Sequence, residues 1–542
     1  MDSTLLYAMA ILYLGATVYL GYLGYRHTRS AKDYMIAGGN IHPFLMAMAY
    51  GSTFISTSAI VGFGGAAGVY GLSLLWLTVC TILVGVFIAF MFYGVKTRKM
   101  AHSLGVHSFP EFLGARFQSP FIRRFSAVVI SISMPLYAAA VMIGGARYME
   151  QALAMNYQTA LLIFAVIVMA YVFFGGLRGV IYNDALQSSI MFFGMVTLLI
   201  LTYKQLGGIT VAHEKLHSMV DLVPAALAEK GHMGWASMPQ FGSEIWWFVM
   251  STLVLGVGIG VLAQPQLAVR YMTVSSSKEI YRAMGVGGVF ILFMTGTAFT
   301  VGALSNVYFY ETTSQIALSA TAAGGAAPNV DRIIPLFITE AMPPWVMIVF
   351  LLSLLAAAMS TLSGQFHLIA TSLAYDLIAS RRGRGEKTLQ WARMGTIMAF
   401  VVTLLLALQL PTSIIAIATA LFFGLCASAF LPMYTAALYW SGVTRIGAAS
   451  SMVAATITYL FLVLFIHEKE AAIFGLSELL FGVTTLASEP WTYIDPLVIS
   501  LPVSTFILIL VSLLTKETDS TIQTGPAVIR AFQQESMIHK KE

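Results

Sequence analysis

Tyr50-Gly-Ser-Thr-Phe-Ile-Ser-Thr-Ser-Ala-Ile-Val-Gly-Phe-Gly-Gly65 sits inside an apolar run from about 43 to 69. A helix in lipid gains nothing by exposing hydroxyls. Gly, Ser and Thr at that depth loosen the helical ladder and turn freed carbonyls toward a neighbouring helix or an ion. A second apolar run, about 243 to 269, holds Gly256-Val-Gly-Ile-Gly-Val-Leu-Ala-Gln-Pro265. Interrupted helices at corresponding positions of two halves mark the binding site of transporters built from inverted repeats. A third stretch, Leu354–His367 (LLAAAMSTLSGQFH), sets Ser360, Thr361 and Ser363 in another apolar helix. Hydroxyls clustered there point to a bound cation.

The rest of the chain supplies the setting. Its 542 residues are 58% hydrophobic and only 10% charged, with mean hydropathy +0.82, which excludes a soluble globule. About 20 apolar residues cross a bilayer. Such runs lie at about 4–25, 43–69, 71–95, 125–149, 159–176, 184–206, 243–269, 284–309, 345–373, 391–410, 412–440, 445–466 and 496–515. The pattern predicts an all-α integral membrane protein of about 13 transmembrane helices. The two interrupted runs are five spans apart, and an odd count reverses orientation. An inverted repeat within a single domain over 1–515 is therefore expected, followed by a short polar tail at 516–542. The first run follows Asp2 rather than a basic segment and lacks a small-residue cleavage site, so it reads as a retained span. Cys80 and Cys426 fall within spans and read as packing residues.

Basic residues mark one side of the membrane. With the N-terminus outside, the cytoplasmic loops collect Arg26, Arg29 and Lys32; Lys96, Arg98, Lys99, Arg116, Arg123 and Arg124; Arg270, Lys278 and Arg282; Arg381, Arg382, Arg384, Lys387 and Arg393. The cytoplasmic tail adds Lys516, Arg530, Lys540 and Lys541. A net charge of +5 then follows from topology and needs no nucleic-acid partner. The outer loops 207–242 and 310–344 read as lids. Arg147 and Glu150, one turn apart, read as a helix-end ion pair. The ten His residues are scattered and no HExxH spacing occurs, which argues against an enzyme. His367, alone in a span near the hydroxyl motif, reads as a packed or water-facing residue. A channel fits an internal inverted repeat less well than a carrier does.

Four motifs carry a family resemblance: Ser30-Ala-Lys-Asp-Tyr-Met-Ile-Ala-Gly-Gly39 before the first broken helix, Gly175-Gly-Leu-Arg-Gly-Val-Ile-Tyr-Asn-Asp-Ala-Leu-Gln187 between the fifth and sixth spans, Gln264-Pro265 through Arg270-Tyr-Met272, and Ala357-Ala-Met-Ser-Thr-Leu-Ser363. In order and position they resemble the sodium/solute symporters, most closely the bacterial proline- and pantothenate-permease branch. The resemblance covers nearly the whole chain. It implies a 5+5 inverted-repeat fold, with repeats at about 43–206 and 243–466, and sodium-coupled uptake of a small organic solute by alternating access in a multi-pass protein of the cell (inner) membrane; the alternatives are proton-coupled symport of the same solute class and sodium/proline or sodium/pantothenate symport.

The resemblance also implies a sodium site made of carbonyls matching Ser52, Ile55 and Ala357 and hydroxyls matching Ser360 and Thr361. Asp184 with Ser363 matches part of a second-sodium or release site, although Gly364 stands where a further hydroxyl is expected. An acidic group at the start of a span reads alternatively as a helix cap. For the solute, Phe54 stands where proline carriers have an aspartate, and Val257 and Val261 where they have aromatic residues. Ser56, Thr57, Ser58, Tyr137 and Gln264 remain near the expected pocket. They suit a short monocarboxylate or small amino acid, whose carboxylate can lie against a half-helix N-terminus.

Overall fold

The computed structural model describes residues 3–153, 155–322, 327–378, 388–410 and 415–515. The tail 516–542 and the loop with Arg381, Arg382, Arg384 and Lys387 lie outside them. The described residues are helical and irregular, with no strand among them. Eleven continuous runs are long and apolar enough to cross a membrane. Two are far longer than a bilayer is thick. Tyr157–Gln205 has 49 residues, about 74 Å at the α-helical rise. It folds back at Gly176 (φ 54°, ψ −153°), so sharply that a Cβ on Gly179 would lie 3.3 Å from the Tyr171 carbonyl. The run Ser58–Leu104 likewise turns at Gly71 (φ 71°, ψ −157°). Dividing both runs yields the expected count of about 13 spans.

Small residues set the closest helix approaches, as expected where lipid supplies no hydrophobic drive between helices. Gly21 and Gly24 of the first span pack on Tyr171 and Gly179. Thr28 completes that contact by donating to the Gly24 and Gly175 carbonyls. At the centre stands Pro344–Ala370, whose side chains are buried from Phe350 to Ala370. It packs against the first span, the two arms of 157–205 and the first broken helix.

The loop 207–242 is a cap. Trp235 donates its indole N–H to the Gly68 carbonyl at 3.0 Å, the Leu72 amide donates to the Trp235 carbonyl at 2.7 Å, and His232 meets the Val69 carbonyl. On the opposite face the basic loops meet one another. Arg98 donates to the Val274 carbonyl, Arg123 bridges Asp376 and Glu111, and Arg116 donates to the Ala437 carbonyl. Cys80 and Cys426 are free thiols.

Candidate functional site

Both interrupted helices break at one extended residue. Pro43–Phe54 starts with Pro at its first position, where no amide is needed. It ends where Ile55 leaves the helical region (φ −84°, ψ 98°), and a wide helical turn, Ser58–Gly62, resumes the span. The second break is at Gln264 (φ −70°, ψ 113°), before Pro265–Tyr271. A residue preceding proline is pushed out of the helical region by the proline ring, which explains the position of this break.

At the first break the last-turn carbonyls need partners. The Ser52 carbonyl accepts from Ser360 Oγ at 3.0 Å and Thr361 Oγ1 at 3.3 Å. The Thr53 carbonyl accepts from Thr361 Oγ1 at 3.2 Å, and Ser360 Oγ lies 3.1 Å from the Ala357 carbonyl. Four of the five residues assigned to sodium thus meet in one fully buried cluster. Ile55 ends the helix beside them, its amide closing on the Gly51 carbonyl. Ser52 Oγ is buried with no hydrogen-bond partner among the described residues. The cluster offers neutral oxygens only, the donor set a small hard cation prefers over softer ligands.

Asp184 lies about two turns past the Gly176 fold-back, inside the helix, so the capping alternative is excluded. Its Oδ2 takes Arg270 Nη2 at 2.9 Å, and Arg270 also donates to Thr53 Oγ1 at 2.8 Å. Ser363 Oγ is 3.5 Å from the other carboxylate oxygen. Arg270 thus occupies the carboxylate's charged contact. Gly364 makes room for it: a Cβ there would stand 2.9 Å from Thr53 Cγ2 and 3.4 Å from Arg270 Nη2.

Beside the first break is a cavity of about 20 Å³, space for one water. Ser56, Thr81, Thr295 and Thr419 supply its hydroxyls among Phe54, Phe299 and Phe423, and Val257 brings in the second broken helix. Of the predicted solute residues only Ser56 lines this cavity. Its side chain hydrogen-bonds Tyr137, which stacks on Phe422 and meets Phe423 edge-on. Ser58 accepts from Thr419 at 2.8 Å. Thr57 reaches the Val141 carbonyl at 3.5 Å, and Gln264 accepts from Gln266 at 2.9 Å. Thr81, Thr295 and Thr419 went unnoticed in the sequence because none stands in a dense run of hydroxyls like 56–58 or 360–363, and scattered threonines are common in membrane helices.

A larger cavity of about 490 Å³ opens on the face opposite the basic loops. Its walls carry Arg147, Glu150, Asp331 and Arg332, and its floor reaches Gly144. A Cβ on Gly144 would lie 2.9 Å from Thr57 Oγ1, so this vestibule ends next to the first broken helix. Arg147 pairs with Glu150 at 2.8 Å and lies over the Tyr157 ring. The other side is sealed by the Ile41 amide on the Thr273 carbonyl and by the Asp184–Arg270 pair.

Two helices broken in mid-membrane, an oxygen cluster at one break and a small cavity between them define a secondary transporter of the alternating-access type. Residues 34–455 match the model of the Sodium:solute symporter family. The chain belongs to that family, and is therefore a sodium-coupled carrier of small solutes and not an enzyme. It is 26% identical to the sodium/proline symporter of Escherichia coli, covering 84% of this chain and 87% of that one. It is 29% identical to the sodium/pantothenate symporter of Haemophilus influenzae, over 79% and 84%. Its fold matches that of a sodium-coupled sialic acid symporter solved in a substrate-bound outward-open state, with TM-score 0.73 at 18% identity, covering 95% of this chain and 97% of that one.

Proposed function

We propose that the protein moves a short monocarboxylate into the cell with one sodium ion, which binds the carbonyls of Ser52, Ile55 and Ala357 and the hydroxyls of Ser360 and Thr361. The observation that carries the solute assignment is the lining of the cavity beside the first break, which offers hydroxyls and aromatic faces but no carboxylate to pair an ammonium group; at about 20 Å³ it has room for one water in this state and must widen to admit a solute. A small amino acid is the second reading, supported by the proline symporters among the relatives. Phe54 on the cavity wall weighs against proline. The solute carboxylate lies against the half-helix that restarts after Ile55 and touches Ser56, while Thr57, Ser58, Tyr137 and Gln264, which do not line the cavity in this state, join the site only as it opens.

A single ion is supported by the Asp184–Arg270 pair: the guanidinium already neutralises the carboxylate that a second sodium would need. The two repeats span about 43–206 and 243–466. The basic face is cytoplasmic, as loop charge directs; the N-terminus is outside, the tail inside and the membrane the bacterial inner one. One sodium crossing ~100 mV releases ~2.3 kcal/mol, and a tenfold gradient adds ~1.4 kcal/mol. A neutral solute could be concentrated several hundredfold. For a monoanion the electrical part cancels, leaving about tenfold.

Uptake by proteoliposomes of labelled pyruvate, lactate, acetate, alanine and proline, with sodium or potassium outside and a proton-gradient control, tests this. Sodium-dependent, potential-insensitive uptake of a monocarboxylate is expected. Uptake of alanine or proline that a negative interior accelerates would replace the solute assignment, and uptake driven only by protons would remove the ion assignment.

A further inference from the structure

On the basic face a cavity of about 250 Å³ opens between three elements: the turn after Ala31–Ile36, the Val95–Leu104 helix with its following loop, and the stretch 272–275 leaving the second broken helix. Lys32, Arg98, His102 and His107 line it, and no carboxylate does. The nearest acids are engaged by other partners. Asp33 Oδ2 accepts from the Arg29 and Ser30 amides and the Ser30 hydroxyl. Glu111 takes the His107 amide and the Tyr375 hydroxyl, and lies 3.9 Å from His107 Nδ1. Arg98 is fixed at the rim, donating from Nε to the Val274 carbonyl at 3.1 Å and from Nη2 to the Ser275 carbonyl. Lys32 and His102 are exposed and reach over the opening.

An excess of basic loop residues orients a membrane protein wherever those residues lie. It does not require them to converge on one concavity from which carboxylates are excluded. The vestibule on the other face shows the contrast, with two arginines balanced by Glu150 and Asp331. We infer that this cavity binds a compact anionic group, a phosphate or carboxylate, held by Lys32, Arg98 and His102. Charge-assisted hydrogen bonds from three separate elements suit such a ligand. The same three elements close the inner side of the transport path, where the Ile41 amide bonds the Thr273 carbonyl at 2.9 Å. An anion bridging them stabilises the state closed on this face, and a ligand that favours one state shifts the equilibrium toward it. The binding claim stands on the cavity alone; only the effect on transport rests on the alternating-access reading above.

Thermal unfolding of the delipidated protein in neutral detergent tests it, with two probes. One is sodium phosphate against sodium chloride at matched sodium and ionic strength; the other is a short-chain phosphatidylglycerol against the corresponding phosphatidylcholine. A saturable rise in the unfolding midpoint is expected, and the double variant Lys32→Gln/His102→Gln should raise the half-saturating concentration about tenfold. Both side chains are exposed, so this variant keeps the fold. A rise with phosphate assigns a soluble anion, and a rise with phosphatidylglycerol alone assigns a lipid headgroup. No saturable rise with either probe, or an equal rise in the double variant, overturns the site. In proteoliposomes, phosphate on the basic face should slow solute exchange while phosphate on the other face does not; this arm reads the closing effect separately from binding.

Discussion

At the level of single residues, the balance of charge beside the oxygen cluster is the most exacting feature. Asp184 and Arg270 are both buried and hold each other at 2.9 Å, and breaking such a pair strands one charge in low dielectric. Arg270→Gln or Asp184→Asn should each destabilise the protein by about 3–5 kcal/mol, and the double variant by less than the sum, as read from thermal unfolding of the purified protein. Gly364→Ala should cost about 1–3 kcal/mol, because its Cβ would press on Thr53 and Arg270, and it should also weaken apparent sodium affinity by displacing Thr53. A Gly364→Ala protein matching the parent in both would show that the arginine does not need the space. The hydroxyls were legible in the sequence because polar groups in an apolar helix stand out against their background. Arg270 as the partner of Asp184 was not, since 86 residues separate them and neither local pattern refers to the other.

At the level of elements, folding depends on a few backbone turns and on one docked hairpin. Gly176 needs a positive φ, and a Cβ there would meet the Tyr34 ring at 2.6 Å; Gly176→Ala should abolish the yield of monodisperse protein in size-exclusion chromatography. The hairpin from His467 to Asp495 clamps the wide-turn segment Phe248–Gly256. The Asp495 amide donates to Ser251 Oγ at 3.0 Å, and Lys469 sits over the Phe248 ring. Burial lowers the His467 imidazole, but the carboxylates of Glu470 and Asp495 outweigh it and hold the imidazole above its ordinary value. Burial pushes Asp495 up to about 6 and Lys469 down to about 8.

A raised histidine stabilises the docked state below its unfolded value and loses that contribution as pH rises through the folded one. The raised Asp495 acts in the same direction at lower pH, while Lys469 opposes both only above about pH 8. The protection of amides in residues 467–495, read as exchange rates corrected for their intrinsic base-catalysed rise, should therefore fall as pH rises above the ordinary histidine range, and His467→Gln should flatten that fall. Protection that does not change with pH in the parent would contradict the clamp. Both breaks were readable from Gly, Pro and hydroxyl content. The fold-back at Gly176 was readable only as a gap between apolar runs, because the sequence holds no polar loop there to separate the two spans.

At the level of the whole molecule, thirteen apolar runs, two of them interrupted, were enough to anticipate the architecture, because a bilayer leaves a helical chain few alternatives. The walls of the cavity beside the first break were not anticipated. Thr81, Thr295 and the pair Thr419 and Phe423 come from three different spans, and only their packing brings them to the first break. Coupling follows from the same packing. The oxygen cluster joins the first broken helix of one half to Pro344–Ala370 of the other, so an ion there favours one arrangement of the two halves. By linkage the solute must raise sodium affinity by the factor through which sodium raises its own. The sodium-activation curve of solute uptake, compared among the parent, Ser360→Ala and Thr361→Ala, tests this most directly. The account predicts a hyperbolic parent curve with a Hill coefficient of about 1 and, in each variant, a half-saturating sodium concentration raised about tenfold, which is ~1.4 kcal/mol. Curves that superimpose in all three proteins would contradict it.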